Sequence, residues 1–357
     1  MDLLTLVENI GEGPTAALFG LITGIAFGIA AQRSRFCLRA ATIEFARGRF
    51  GPSMSVWLLT FATALVWVQS AQLLGFVRTE DARMMAVPGS WSGAVIGGLI
   101  FGIGMVLARG CSGRLLVLAA TGNLRSVVSG LIFAVVAQMS LQGWLASTRD
   151  NLAALWITPD GRNMDLLATL GLPQAGGLVI GLGFTALGLY VSFKNRLGLS
   201  RIIFASGVGF AVALGWVLTF GLSQIAFDPI QIESATFTGP SARTLMFFLD
   251  RNAVLEFDIG LVPGVFLGSF IAAIATREFK MQGFTDACNM RRSMTGAAMM
   301  GFGGMLAGGC AIGAGVTGGS IFAGTAWAAL FFMWVGAVIT DYLIDQKNLV
   351  GMSCETR

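Results

Sequence analysis

Apolar stretches long enough to cross a bilayer recur along nearly the whole chain. They lie at roughly 15–31, 54–76, 91–109, 125–146, 174–193, 202–225, 260–276, 293–309 and 322–344. About 20 apolar residues span the hydrocarbon as a helix, which satisfies every backbone polar group internally. The 357 residues therefore read as an all-α integral membrane protein, with about nine transmembrane helices in one transmembrane domain over 1–357. Composition agrees: 12% of residues are charged and mean hydropathy is +0.76, against roughly 25% charged in soluble domains. No polar stretch is long enough to form a second, soluble domain.

Glycine is abundant at 49 residues, as expected where helices approach through small faces. Gly20, Gly24 and Gly28 share one face of the first span and mark it for close packing. The net charge of +4 reflects basic loops rather than nucleic-acid binding. The chain contains no histidine, which excludes imidazole catalysis, a Cys–His dyad and His-ligated zinc or haem. Neither a metal nor a cofactor is expected. The five cysteines, Cys37, Cys111, Cys288, Cys310 and Cys354, include no CxxC pair, and a disulfide framework is not expected in so apolar a chain.

Loop charge sets an orientation. The first loop carries Arg33, Arg35, Arg39, Arg47 and Arg49, the third Arg114 and Arg125, the fifth Lys194, Arg196 and Arg201, and the seventh Arg277, Lys280, Arg291 and Arg292. Even-numbered loops are neutral or acidic, the sixth most of all, with Asp228, Glu233, Asp250, Glu256 and Asp258. The positive-inside rule then puts the N-terminus outside and the C-terminus in the cytoplasm. The N-terminal MDLLTLVENIGEGP is acidic and lacks the basic start of a cleavable signal peptide.

Two segments of the chain are versions of each other. GIGMVLARGCSG (102–113) aligns with GFGGMLAGGCAIG (301–313) at a shift of 199 residues, superposing Gly102 on Gly301, Gly104 on Gly303, Ala108 on Ala307, Gly110 on Gly309 and Cys111 on Cys310. On the orientation above, the helices before the two cysteines run in opposite directions. The expected architecture is thus an inverted repeat, about 15–146 and 202–344, linked by the span near 174–193. Short apolar pieces at 114–121 and 311–320 follow each Gly–Cys turn and read as re-entrant half-helices. Glycine-broken segments in matching halves are the sequence pointer to a transporter's substrate site.

Each cysteine sits in a glycine frame: Gly110, Ser112 and Gly113 around Cys111, Gly309 and Gly313 around Cys310. Glycine lets backbone approach a ligand, and a half-helix starting after the cysteine turns its amide groups and positive dipole end toward the turn. A thiol is a weak, polarizable donor suited to a soft sulfur atom. Together these features point to a small sulfur-containing anion. Arg109 and Arg114 flank Cys111 and either compensate a dianion or anchor at the cytoplasmic interface. Cys37, in AAQRSRFCLRAA, has either a functional or a structural role. Cys288 lacks the glycine frame and reads as non-essential, Cys354 as part of the tail. The central parts of the spans show no carboxylate suited to a proton relay, Asp341 being the nearest case.

At these residues, RFC after the first span, LARGCSG and MGFGGMLAGGCAIG, the chain resembles the YeeE/YedE family of sulfur-compound transporters over nearly its whole length. The resemblance implies uptake of thiosulfate across the bacterial inner membrane through an hourglass-like inverted repeat with re-entrant helices. It further implies transient S–H···S contacts along a central path, which fall here on Cys37, Cys111 and Cys310. A cytoplasmic sulfur carrier of the TusA type is the partner it suggests. Two other classes stay open from the residues: a membrane thiol oxidoreductase or sulfurtransferase, and a channel for a non-sulfur solute in which the cysteines only fill space. A monomer surrounded by lipid is the simplest assembly. The loops at 147–173 and 226–259 have no sequence account.

Overall fold

The computed structural model describes residues 3–251, 253–283 and 287–346. Helices α1 (Leu3–Ile10), α2 (Glu12–Ser34), α3 (Leu38–Ala46), α4 (Pro52–Leu73) and the short α5 (Arg83–Ala86) come first. The first Gly–Cys turn joins α6 (Trp91–Leu107) to α7 (Ser112–Ala120), and α8 (Leu124–Gln142) follows. Next come α9 (Ala146–Ala153), α10 (Leu166–Thr169), α11 (Gln174–Lys194), α12 (Leu199–Ser223), α13 (Thr238–Leu249) and α14 (Phe257–Ala275). The second Gly–Cys turn follows α15 (Ala287–Leu306) and precedes α16 (Gly324–Thr340).

A helix lies over each of the nine apolar stretches. Eight of these runs are long and apolar enough to cross a membrane. The helix over 293–309 is α15, whose 20 residues begin with Asn289, Arg291 and Arg292 in the first two turns. Of the two expected half-helices, α7 is a regular nine-residue helix. Its counterpart is not: Gly313–Gly318 forms a π-helical turn. Gly313, Gly315, Gly318 and Gly319 weaken α-helix formation there, and the Ile312 carbonyl accepts from both Val316 (2.9 Å) and Thr317 (2.8 Å). Such turns occur mostly as local features at functional sites.

Glycine sets the helix spacing. Gly20, Gly24 and Gly28 of α2 rest on the backbone carbonyls of Phe257, Leu261 and Val265 of α14. Reciprocally, Gly260, Gly264 and Gly268 of α14 rest on Ala17, Leu21 and Ile25. A methyl group at most of these positions would collide with main chain, so the two helices pack at backbone contact. In the same way α6 meets α15 through Gly97, Gly104, Gly296 and Gly303, and meets α16 through Gly102 and Gly336.

The long loops do structural work that the sequence did not disclose. Residues 163–166 of the first loop cover the connection into α16: Leu166 N–H donates to Phe322 O (3.0 Å), and Gly324 N–H donates to Met164 O (2.7 Å). Residues 280–282 cover the equivalent connection into α8, with Lys280 N–H donating to Thr121 O (3.1 Å) and Leu124 N–H to Gln282 O (3.0 Å). In the second loop, residues 232–237 leave the surface and run through the interior without helical structure, every one of them buried. Their polar groups are met by neighbouring helices: Thr219 Oγ1 donates to Glu233 O (2.8 Å), Ser234 Oγ to Val212 O (2.5 Å) and Thr317 Oγ1 to Ala235 O. This internal strand of chain carries Glu233. Asp258, buried at the start of α14, lies beside it. The interior thus holds carboxyl groups outside the central parts of the spans, where the sequence shows none: a loop delivers the first and the start of α14 the second.

Candidate functional site

Helix starts place all three cysteines of interest. Cys37 precedes α3 and Cys111 precedes α7, each in extended backbone. The Ala40 amide reaches toward the Cys37 sulfur, and those of Arg114 and Leu38 toward Cys111, without a close capping bond. Cys310 sits ahead of the π-helical turn and accepts from Gly313 N–H at 3.4 Å. Sulfur in each case meets the amide three residues on, which is what the register of a helix start supplies. Cys111 and Cys310 are completely buried and Cys37 is half-buried; all three are free thiols.

The fold brings Cys37 and Cys111 together: their thiols face each other within hydrogen-bonding range. They come from segments more than 70 residues apart, and no sequence pattern pairs them. The two Gly–Cys turns also meet. Gly113 faces Ile312, its own counterpart at the 199-residue shift; a Cβ on Gly113 would lie 2.5 Å from Ile312 Cδ1 and 3.3 Å from the Phe237 ring. Phe237 packs edge-on against Phe27 of α2 at 5.1 Å. Thr236 presses on Gly313, and Thr238 on Gly304. The internal chain segment is thus wedged against both turns. Its residues were missed in the sequence, although SATFTGPSA (234–242), uncharged within the most acidic loop, was an available signal.

The flanking arginines separate. Arg109 is exposed, whereas Arg114 is half-buried and lies close enough to Cys37 for its charge to be felt there. The buried Nη1 of Arg114 and the buried hydroxyl of Ser112 have no hydrogen-bond partner among the described residues. The frame glycines separate too. A Cβ on Gly110 would make ordinary contact with Leu115 at 3.5 Å, whereas one on Gly309 would stand 2.8 Å from the Ala314 amide nitrogen.

Cys288 is disulfide-bonded, a bond the sequence reading did not anticipate; Cys354 lies outside the described residues. No cluster of three or more metal-ligating side chains occurs among the described residues.

Beyond the cysteines, a cavity of about 230 Å³ opens beside the second turn, lined by Arg83, Met84, Gly89, Asn163, Gly308 and Thr325 among others. It reaches Ala307 and Gly308, three and two residues before Cys310. Buried thiols, amide groups aimed at sulfur and a guanidinium with an unused donor bring together weak, soft donors and a positive charge.

The model of the sulphur transport family matches residues 33–339. The chain is 29% identical over 354 residues to the thiosulfate transporter TsuA of Escherichia coli, covering 92% of this chain and 94% of that protein. It is 25% identical over 334 residues to the thiosulfate transporter TsuA of Spirochaeta thermophila, covering 89% and 96%. A probable transporter of Escherichia coli, YedE, matches 49% of this chain at 29% identity. The relatives are transporters, not enzymes, which sets the oxidoreductase reading aside. With the match running from the segment before Cys37 to the end of α16, the chain is a multi-pass membrane protein and belongs to the sulphur transport family.

Proposed function

We propose that the protein takes up thiosulfate, or a closely related small sulfur anion, across the bacterial inner membrane along a path lined by Cys310, Cys111 and Cys37. The observation that carries this reading is the paired thiols of Cys37 and Cys111 beside the unused donor of Arg114. A pore must bind its ion weakly enough to release it at each site. Thiols donate weakly and match the soft terminal sulfur of thiosulfate, while Arg114 and the unpartnered Ser112 hydroxyl meet its oxygens. The Cys310 turn receives the anion from the cavity at Gly308, and the Cys111–Cys37 pair passes it on, with no covalent bond formed.

The two halves act as inverted repeats about the Gly113–Ile312 contact. Three observations support that arrangement. Exchanging counterparts turns the α2–α14 packing into α12–α4 and the α6–α16 packing into α15–α8, and each pair is in contact. Positions 109 and 308, equivalent at the same shift, both have positive φ (58° and 76°). Loops 163–166 and 280–282 cover equivalent connections. The N-terminus outside, the C-terminus inside, a monomeric state and delivery to a TusA-type carrier complete the reading and rest on loop charge and resemblance.

The test is growth on thiosulfate as sole sulfur source in a host lacking its own thiosulfate and sulfate uptake, at matched membrane expression. The wild type rescues growth; Cys111→Ala and Cys310→Ala lose the rescue, and Cys37→Ala weakens it. Arg114→Gln lowers uptake several-fold while the exposed Arg109→Gln leaves it near wild type. Rescue that survives both Cys111→Ala and Cys310→Ala refutes the thiol path.

A further inference from the structure

The internal segment delivers Glu233 to a buried cluster that the cysteine path does not use. Glu233 is 6% exposed and Asp258 1%, and their carboxyl groups lie close together, a repulsion that a bound proton relieves. Arg83 Nε stands 3.4 Å from Glu233 Oε2. Arg243 Nη1 lies 3.5 Å from Asp258 Oδ2 and 2.6 Å from Glu256 Oε2. Glu233 Oε2 and Asp258 Oδ1 are buried and accept no hydrogen bond from any described residue. Three carboxyl groups and two guanidinium groups leave one excess negative charge, and one bound proton makes the cluster neutral.

Two cavities flank this cluster. Glu233 lines one of about 230 Å³, together with Glu12, Asp228 and Glu256, of which Glu12 accepts the Phe227 and Asp228 amides. Arg83 lines the other, the cavity that reaches Gly308 before Cys310, and among the described residues it is the one charged side chain in that lining. Glu233 therefore reaches water on one side and neutralises, on the other, the cation facing the second cysteine turn.

We propose that Glu233 is a proton-binding positioning residue that controls anion capture by Arg83, so that a proton and a sulfur anion occupy the mouth of the path together. Ionised Glu233 compensates Arg83 and leaves the cavity with little attraction for a dianion. Protonation removes that compensation, and the guanidinium charge is then presented to the cavity. By linkage, the anion tightens proton binding by the same factor. Burial, and then the Asp258 carboxylate, push the Glu233 carboxyl up to about 8, so the exchange falls in the physiological range. The segment carrying Glu233 also wedges Thr236 and Phe237 against both turns, close enough for the two events to share one structural element.

The proposal rests on the transport reading for the identity of the anion but not for the proton site. Two measurements on the full chain in detergent test it. First, thiosulfate binding is titrated at pH 6, 7.5 and 9. The wild type loses affinity above pH 8, approaching tenfold per pH unit for one linked proton. Glu233→Gln binds at pH 9 as the wild type does at pH 6, and Arg83→Gln binds weakly at every pH. Identical pH profiles for wild type and Glu233→Gln overturn the proposal. Second, melting is followed without any anion. A carboxyl raised from its unfolded value holds its proton in the folded state, so stability falls as pH rises from about 5 to 8 and then levels off. Glu233→Gln, with Asp258→Asn as the second variant, flattens that fall. A slope unchanged in both variants removes the proton site. A flattened slope with no thiosulfate binding at any pH keeps the proton site, and overturns both the anion-capture half and the transport reading.

Discussion

Arginine and glycine hold equivalent places just before the two cysteine turns, and both adopt left-handed backbone, at φ 58° for Arg109 and 76° for Gly308. A non-glycine residue there costs about 1–2 kcal/mol, so the turn geometry is kept in the first half at some expense. Space around the next residue differs in the opposite sense. Gly110 has room for a methyl group; Gly309 does not, because its neighbour is the rigid Ala314 backbone rather than a side-chain end. Gly309→Ala is therefore expected to destabilise the protein by about 1–3 kcal/mol through overpacking and to abolish uptake. Gly110→Ala stays within about 0.5 kcal/mol of wild type and keeps uptake. Melting of the purified variants together with the growth assay checks both. Equal loss at the two positions would contradict the packing at Gly309.

Among the elements, the pairing of α2 with α14 shows what a glycine face does in a membrane. Lipid is as apolar as leucine, so burying apolar surface gives little net drive there and helices associate by close packing. Six glycines on two helices, each against a main-chain carbonyl of the other, let that packing reach backbone distance. Gly264→Ala should push the helices apart and cost about 1–3 kcal/mol; a thermal midpoint unchanged from wild type would show the helices are not locked there. The Gly20–Gly24–Gly28 face was legible because i, i+4 spacing is a local property of a helix. Its partner face was not identified, since pairing depends on which helices the fold sets side by side. The short helix expected after Cys310 takes a π-helical form, which hydropathy does not foretell: it registers apolar character but not the loss of α-helix propensity from four glycines in seven residues.

Across the whole molecule, a long-range polar contact joins the end of α3 to the end of α16. Arg47, just past α3, grips Asp341 at the end of α16 with two hydrogen bonds, of 3.1 and 2.8 Å, and Asp341 is wholly buried. Asp341→Ala removes a buried carboxylate that accepts two charged hydrogen bonds, so it is expected to cost about 1–3 kcal/mol. Asp341→Asn, which retains an acceptor, should cost less. Loss of midpoint in that order, measured by melting in detergent, is the check; equal values for the two variants would mean that the carboxylate charge contributes nothing beyond shape.

The sequence by itself determined the helical membrane class, the positions of the long helices and the duplicated Gly–Cys turns that carry Cys111 and Cys310. These follow from local quantities: hydropathy over one bilayer thickness, glycine spacing on one helix, and self-similarity at a fixed shift. Tertiary structure alone decided that Cys37 faces Cys111, that Arg114 rather than Arg109 reaches the thiols, and that Gly113 meets Ile312. It also decided that an acidic loop dives inward to set Phe237 between the turns and Glu233 beside Asp258. Each of these is a contact between segments tens to hundreds of residues apart. Their pairing energy appears only once the glycine-spaced helices have closed, and no period or composition along the chain encodes it.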